Sequence, residues 1–356
     1  MTRRRVLVAA LVGLVVAALG LTAGCSNLGY LAQSVNGHLS LVRAARPVPD
    51  WLTDAQAPEP LKERLRLSQR MRDFAVTELH LPDNASYRRY ADLGRSAAVW
   101  NVVAAPELSL TLKTWCFPVV GCVGYRGYFA RDAADSEAAS LRAEGLEANV
   151  YGVPAYSTLG KLPGAMFSDP LLSTFVRYPE GELARLIFHE LSHQVAYAAD
   201  DTVFNESFAT AVERIGGARW LTQQGSPQAR ADYAVFDARR NDFRELTRRF
   251  RVQLDALFRS DASDADKRAG KAALMQQMRV DHAALKAQAW DGYAGYDGWF
   301  ANANNASLGV LAAYNELVPE FDRLFEREGR DFTRFYAQVR RLAALPKAQR
   351  RAELSH

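Results

Sequence analysis

Leu186-Ile187-Phe188-His189-Glu190-Leu191-Ser192-His193 is the stretch that decides how this sequence is read, because it spaces two histidines four positions apart with a glutamate directly after the first. On a helix, residues four apart share one face about 6 Å apart along the axis, so His189 and His193 can converge on one ion. Glu190 is rotated by about 100° from His189 and cannot easily join the same ligand set. It can reach a water on the open side of the metal, where a general base belongs. Leu183, Leu186, Ile187, Leu191 and Val195 give the helix an apolar body that would hold these side chains rigidly. The HExxH pattern therefore predicts a Zn²⁺ site on His189 and His193 with Glu190 as catalytic base.

Zinc in a catalytic site needs a third protein ligand and an open fourth position. Working outward, Phe204-Asn205-Glu206-Ser207-Phe208-Ala209-Thr210-Ala211-Val212-Glu213 follows, with Glu206 thirteen positions beyond His193. Asn205 reads as a helix cap, Glu206 as a first-turn residue, and Phe208, Ala211 and Val212 as an inward apolar stripe. A helix docked in this way can aim Glu206 at the ion, with Asp200 and Asp201 as alternative ligands. Glu213, seven residues on, shares nearly the same face and can hydrogen-bond a ligand histidine.

The rest of the chain sorts into strands first and helices afterwards, which argues an α+β fold. Residues 99–103, 108–114, 123–129 and 148–153 are short, β-branched and aromatic-rich and are separated by Pro and Gly, as strands of a small sheet are. Helices are expected at 61–80, 135–144, 182–198, 205–222, 229–259, 265–289, 304–328 and 331–345, with Gly329 as a stop between the last two. Cys116 and Cys122 flank Pro118 and Gly121, and in an oxidising compartment that arrangement predicts a local disulfide. Tyr314 is the first candidate to donate a hydrogen bond to a tetrahedral oxyanion, with Tyr293 and Tyr296 behind it. Its alignment with Leu311 and Val318 equally fits a core tyrosine.

The amino terminus points to the cell envelope. Arg3, Arg4 and Arg5 precede an apolar run over 6–19 that is shorter than the roughly 20 residues a membrane span needs. Residues 1–24 thus read as a signal peptide, and Leu21-Thr22-Ala23-Gly24-Cys25 resembles a bacterial lipobox, with Cys25 as the lipidated residue. Ser26 after it implies sorting to the outer membrane. Of the 44 Lys and Arg, three fall in residues 1–24 with no acid, which leaves 41 against 40 Asp and Glu. Nucleic acid is therefore not an expected partner, since phosphate binding needs unbalanced, clustered positive charge. The expected organisation is a lipid-anchored lead over 25–60, a catalytic core over 61–222 and a helical region over 223–356 that completes the cleft.

HExxH followed by Asn205-Glu206, Phe208-Ala209-Thr210 and Val212-Glu213 resembles the gluzincin zinc peptidases, particularly the aminopeptidase N type, with a shorter connection of twelve residues between His193 and Glu206. A closer likeness is to a family of proteobacterial lipoproteins described as putative aminopeptidases. It is carried by Cys25, Gln33-Ser34, Gly37-His38-Leu39, Lys113-Thr114-Trp115-Cys116-Phe117-Pro118, Tyr125-Arg126-Gly127-Tyr128-Phe129, the segment 155–160, Asp169-Pro170-Leu171-Leu172-Ser173 and Asn304-Asn305-Ala306, besides the HExxH and Asn205-Glu206 segments. The resemblance implies a zincin-like core and a zinc peptidase acting on peptide or protein, an aminopeptidase by the family's description, with an envelope endopeptidase or a non-catalytic zinc-binding lipoprotein scaffold as the alternatives. Gly164-Ala165-Met166 begins like the exopeptidase motif of aminopeptidase N, but Phe167-Ser168 stands in place of its Glu-Asn. Residues 155–160 would supply an edge strand for an extended substrate.

Overall fold

The computed structural model describes residues 29–117, 121–155, 168–199 and 201–355. In chain order its first elements are helix α1 (29–44), strand β1 (Arg46–Pro47), α2 (Val48–Thr53), α3 (Glu59–Thr77), β2 (Arg89–Ala91) and β3 (Val99–Pro106). Next come β4 (Trp115–Phe117), β5 (Gly121–Val123), β6 (Arg126–Tyr128), α4 (Arg131–Ala143), β7 (Leu146–Val153) and β8 (Leu171–Leu172). The remainder is helical: α5 (Glu180–Ser192), α6 (Thr202–Gln223), α7 (Pro227–Arg259), α8 (Asp264–Gln288), α9 (Asp297–Ala301), α10 (Asn305–Asn315), α11 (Val318–Arg327), α12 (Phe332–Ala343) and α13 (Lys347–Ser355). The α+β class is as expected, with a mainly helical C-terminal half. Among the described residues no helix is long and apolar enough to cross a membrane.

Strand β3 organises the sheet beside the site. It pairs antiparallel with β7 from Val99↔Val153 to Pro106↔Leu146, and with β6 on its other edge. Side chains alternate across a strand, so Val102 and Ala104 pack with Ala134, Ala138 and Leu141 of α4, while Val103 and Ala105 meet Ala306 of α10. The small residues let α10 lie close to the sheet, and α10 in turn lies against α6. The sheet and helices α5 and α6 are thus joined through α10.

The main core holds α5 and α6 together. Ile187, Phe188, Leu191, Phe208, Ala211 and Val212 are fully buried, and each large apolar side chain so buried contributes about 1.5–3 kcal/mol. Phe74 of α3 closes the third side, its ring 6.0 Å from that of Phe188 and 5.2 Å from Trp220. A Cβ at Gly216 would come within 2.6 Å of Leu79, so the crossing tolerates only glycine there without movement.

Several expectations need correction. Residues 108–114 form a loop whose Leu110 and Leu112 join apolar clusters, instead of a strand. The helix expected over 304–328 is divided into α10 and α11, because Pro319 in the first turn of α11 has no N–H to continue a helix and Leu317 N–H turns instead to Ser207 Oγ at 3.2 Å. Helix α5 ends at Ser192 with His193 as its cap, short of residue 198. Gly329 ends α11 with φ +67°, as a glycine stop does. Cys116 and Cys122 form a disulfide across β4 and β5.

Candidate metal centre

Helix α5 follows Pro179 and carries Glu180 and Glu182 in its first turn, where acids complement the helix dipole. Its buried face turns Leu183, Ile187, Phe188 and Leu191 to the core, which leaves Arg185, His189 and His193 along one stripe facing a cavity. The ring centroids of His189 and His193 lie 4.9 Å apart. Burial lowers His193 to about 4, so it is neutral at ordinary pH and keeps a lone pair for a metal.

The connection to α6 is short and firmly tied. Asn205 is not the helix cap; Asp201 is, its Oδ1 accepting from Phe204 N at 3.2 Å. Asn205 lies inside the helix, where its Nδ2 donates to Ala198 O at 2.9 Å and its Oδ1 accepts from Ala198 N at 2.8 Å. Asp201 is buried and accepts from Arg350 Nη1 at 2.8 Å and Arg351 Nη2 at 2.6 Å, so its carboxylate is taken up by α13 and not by a metal. Asp200, the other alternative, lies outside the described residues.

With α6 fixed in this way, Glu206 Oε2 lies 3.3 Å from His189 Nε2 and 3.8 Å from His193 Nε2. The three ligand atoms all fall within 4.8 Å of one another, a group that could hold a metal ion. Donors placed tetrahedrally around zinc at about 2.0–2.1 Å would stand roughly 3.3–3.4 Å apart, which the 3.3 Å contact matches while the 3.8 Å contact is wider. The donor set also fits, since two imidazoles and one carboxylate match a catalytic site with an open position. Burial works against ionisation of Glu206, but His193 and His189 hold it below the usual carboxylate range.

Glu213 supports this group from behind. Its Oε2 lies 2.9 Å from His189 Nδ1, and its other oxygen accepts from Arg185. Arg185 also donates to Tyr233 Oη at 3.1 Å and Asp237 Oδ1 at 3.3 Å. Its stem crosses α6 at Gly217, where a Cβ would lie 2.7 Å from Arg185 Cγ. Sequence reading missed Arg185, although its place four residues before His189, on the same stripe, was a usable signal.

The cavity measures about 850 Å³. Glu190 is in its wall, and burial, reinforced by Glu206 and Asp169, pushes its carboxyl up to about 7. Tyr314 of α10 lines it too, with its ring 6.5 Å from that of His189. The Glu206 charge and burial raise Tyr314 well above the ordinary tyrosine value, so it keeps its O–H. Tyr125 is kept protonated by burial and Glu206 in the same way, a feature that sequence reading did not single out. Tyr296 also lines the cavity, stacked on Phe243 at 4.4 Å, whereas Tyr293 packs against the same apolar cluster without being part of the lining. Cys25, the edge segment 156–160 and Gly164-Ala165-Met166 lie outside the described residues.

A family model described as putative aminopeptidase matches residues 29–354, nearly the whole chain. No curated protein and no solved structure matches it.

Proposed function

The chain belongs to the family described as putative aminopeptidase, and we propose that it is a zinc-dependent peptidase with a zincin-like core, holding its metal on His189, His193 and Glu206. The observation that carries this reading is the single Glu206 oxygen facing the Nε2 atoms of both histidines. A zinc ion there supplies the Lewis acidity that makes water a nucleophile near neutral pH and draws charge from a peptide carbonyl.

The chain's own residues supply the rest. Glu190 takes the proton of the attacking water and returns it to the departing amine, a role suited to a carboxyl buried in the same wall. Tyr314 donates its O–H to the oxyanion. Glu213 holds the proton of His189 on Nδ1, so that Nε2 faces the metal position. A non-catalytic scaffold would have no use for a base at Glu190.

The test is zinc content measured on the purified protein together with hydrolysis of an aminoacyl dye and a casein-like substrate. About one zinc per chain and cleavage of either substrate support the reading; a metal-loaded protein that cleaves neither overturns it. For the compartment we propose lipid attachment at Cys25 on the periplasmic face of the outer membrane. Cys25→Ser should release the protein from membranes and remove the acyl mass.

A further inference from the structure

Among the described residues three guanidinium groups line the cavity, those of Arg185, Arg240 and Arg244. Two are committed. Arg185 is held by Glu213, Asp237 and Tyr233, and Arg240 by Glu182 and Asp237. Arg244 is half-buried on α7 and has no ion pair among the described residues. Among the described residues its guanidinium makes one hydrogen bond, a 3.4 Å contact from Nη1 to Asn241 Oδ1. The charges that reach it include Arg185, Arg214, Glu182, Glu213 and Asp237; of these acids Glu213 and Asp237 already serve Arg185, and Glu182 serves Arg240. Arg214 is turned to Asp322 at 3.1 Å. Burial accordingly disfavours the Arg244 cation, with Arg185 adding to the effect.

A partly desolvated guanidinium that faces a cavity with no carboxylate paired to it is an incomplete ion pair, and its planar fork matches a carboxylate with two parallel hydrogen bonds. The acids of the described lining are already assigned. Glu182 serves Arg240, Glu213 serves Arg185 and His189, Glu206 faces the metal position, and Glu190 is the base. The surplus group is therefore a cation and not an acid. Leu186, Phe243, Tyr296 and Leu311 supply apolar lining to the same cavity. The cavity volume of about 850 Å³ falls in the range of about 300–1,000 Å³ usual for small-ligand sites, which suits a few residues of peptide.

We propose that Arg244 binds the free C-terminal carboxylate of the substrate, with Leu186, Phe243, Tyr296 and Leu311 receiving the terminal side chain, so that the protein selects short peptides ending in an apolar residue. This rests on the peptidase reading above. It makes the far end of the substrate, in addition to the bond cleaved, a determinant of selection.

The test separates binding from turnover. Full-length Glu190→Gln protein, in which hydrolysis is blocked, is titrated calorimetrically with Gly-Gly-Leu and with Gly-Gly-Leu amide. The acid should bind at least tenfold more tightly, and adding Arg244→Gln should bring its affinity down to that of the amide. Equal binding of acid and amide overturns the proposal. So does a preference that survives Arg244→Gln, which would put the carboxylate elsewhere, for instance on the metal. Should Arg244→Gln fail to fold, Arg244→Lys replaces it: a reduced preference supports the forked contact and an undiminished one overturns it. Wild-type hydrolysis of the two peptides tests the peptidase reading independently. Acid-selective binding without hydrolysis removes that reading and leaves the Arg244 site standing; equal hydrolysis with equal binding does the reverse.

Discussion

Glu213 Oε2 lies 2.9 Å from Nδ1 of His189, seven residues beyond Glu206 on the same helix. Because an ionised carboxylate can only accept, Glu213 holds a proton on Nδ1 and leaves Nε2 as the ring atom that faces Glu206 and His193. Before a metal binds, burial opposes the charge, but Glu206 and Glu213 together favour the protonated ring and raise His189 well above the ordinary histidine value. Burial opposes the charge on Glu213, yet Arg185 and His189 hold its pKa down at about 2. One helix, through two turns, thus presents both a metal-facing carboxylate and the carboxylate that orients the opposite histidine.

Glu213→Gln should therefore weaken the metal without unfolding the protein. Loss of such a supporting carboxylate typically reduces metal affinity by about 10–100-fold. Competition with a chelator of known affinity measures this. Unchanged zinc affinity would mean that His189 is oriented by something other than Glu213.

Asp201 gives a prediction about acid stability. Burial works against its charge, but Arg351 and Arg350 lower its pKa, and it caps α6 as well. A carboxylate depressed by folding stabilises the protein fully above its unfolded value of about 3.9 and loses that contribution as the pH falls through its lower folded value. Asp201→Asn leaves the two arginines, one of them buried, without their anion, a change that costs about 3–5 kcal/mol for buried pairs. Denaturant melts of wild type and variant should differ most at neutral pH and converge as the pH falls through the lowered folded value of Asp201. A constant difference across that range would place the effect on the cap alone.

Tyr314→Phe tests the oxyanion donor. Removing a donor of this kind lowers kcat by about 10²–10³, or about 2.7–4 kcal/mol, while zinc content should remain at the wild-type level. Tyr125→Phe is the matched comparison, since Tyr125 is also buried near Glu206 and Glu190. If the large loss in kcat follows Tyr125 instead, the oxyanion faces the link between β5 and β6 and not α10.

The parts of this site that follow helical spacing were legible in the sequence. His189 and His193 share a stripe because the period of α5 demands it, and Glu206 and Glu213 recur two turns apart on α6. What was not legible depends on distant partners. Asn205 and Asp201 are both good caps locally, and the choice was made by Arg350, 149 residues downstream, which pins Asp201 at the start of α6. Leu110 and Leu112 have the composition of a strand, but β3 already has β6 and β7 on its two edges, so their apolar side chains fill gaps beside α10. Arg244 could not be told from the solvated arginines of α7 until the fold had assigned carboxylates to Arg185 and Arg240.

The comparison that separates a working peptidase from a metal-binding scaffold lies between Glu190 and Glu206. Glu190→Gln keeps the size of the side chain, but an amide cannot take a proton from water. Zinc content and thermal stability should stay near wild type while peptide hydrolysis falls by about 10²–10⁴, roughly 3–5 kcal/mol of barrier. Glu206→Gln removes the anionic donor that faces both histidines at 3.3 and 3.8 Å. Zinc and turnover should then fall together and return in part when zinc is added. Zinc stoichiometry and turnover measured in parallel on the two variants give each residue a distinct signature. Wild-type turnover in Glu190→Gln would remove Glu190 as the base, and normal zinc retention in Glu206→Gln would move the third ligand to another residue, with Asp200 first in line because Asp201 is already bound to Arg350 and Arg351.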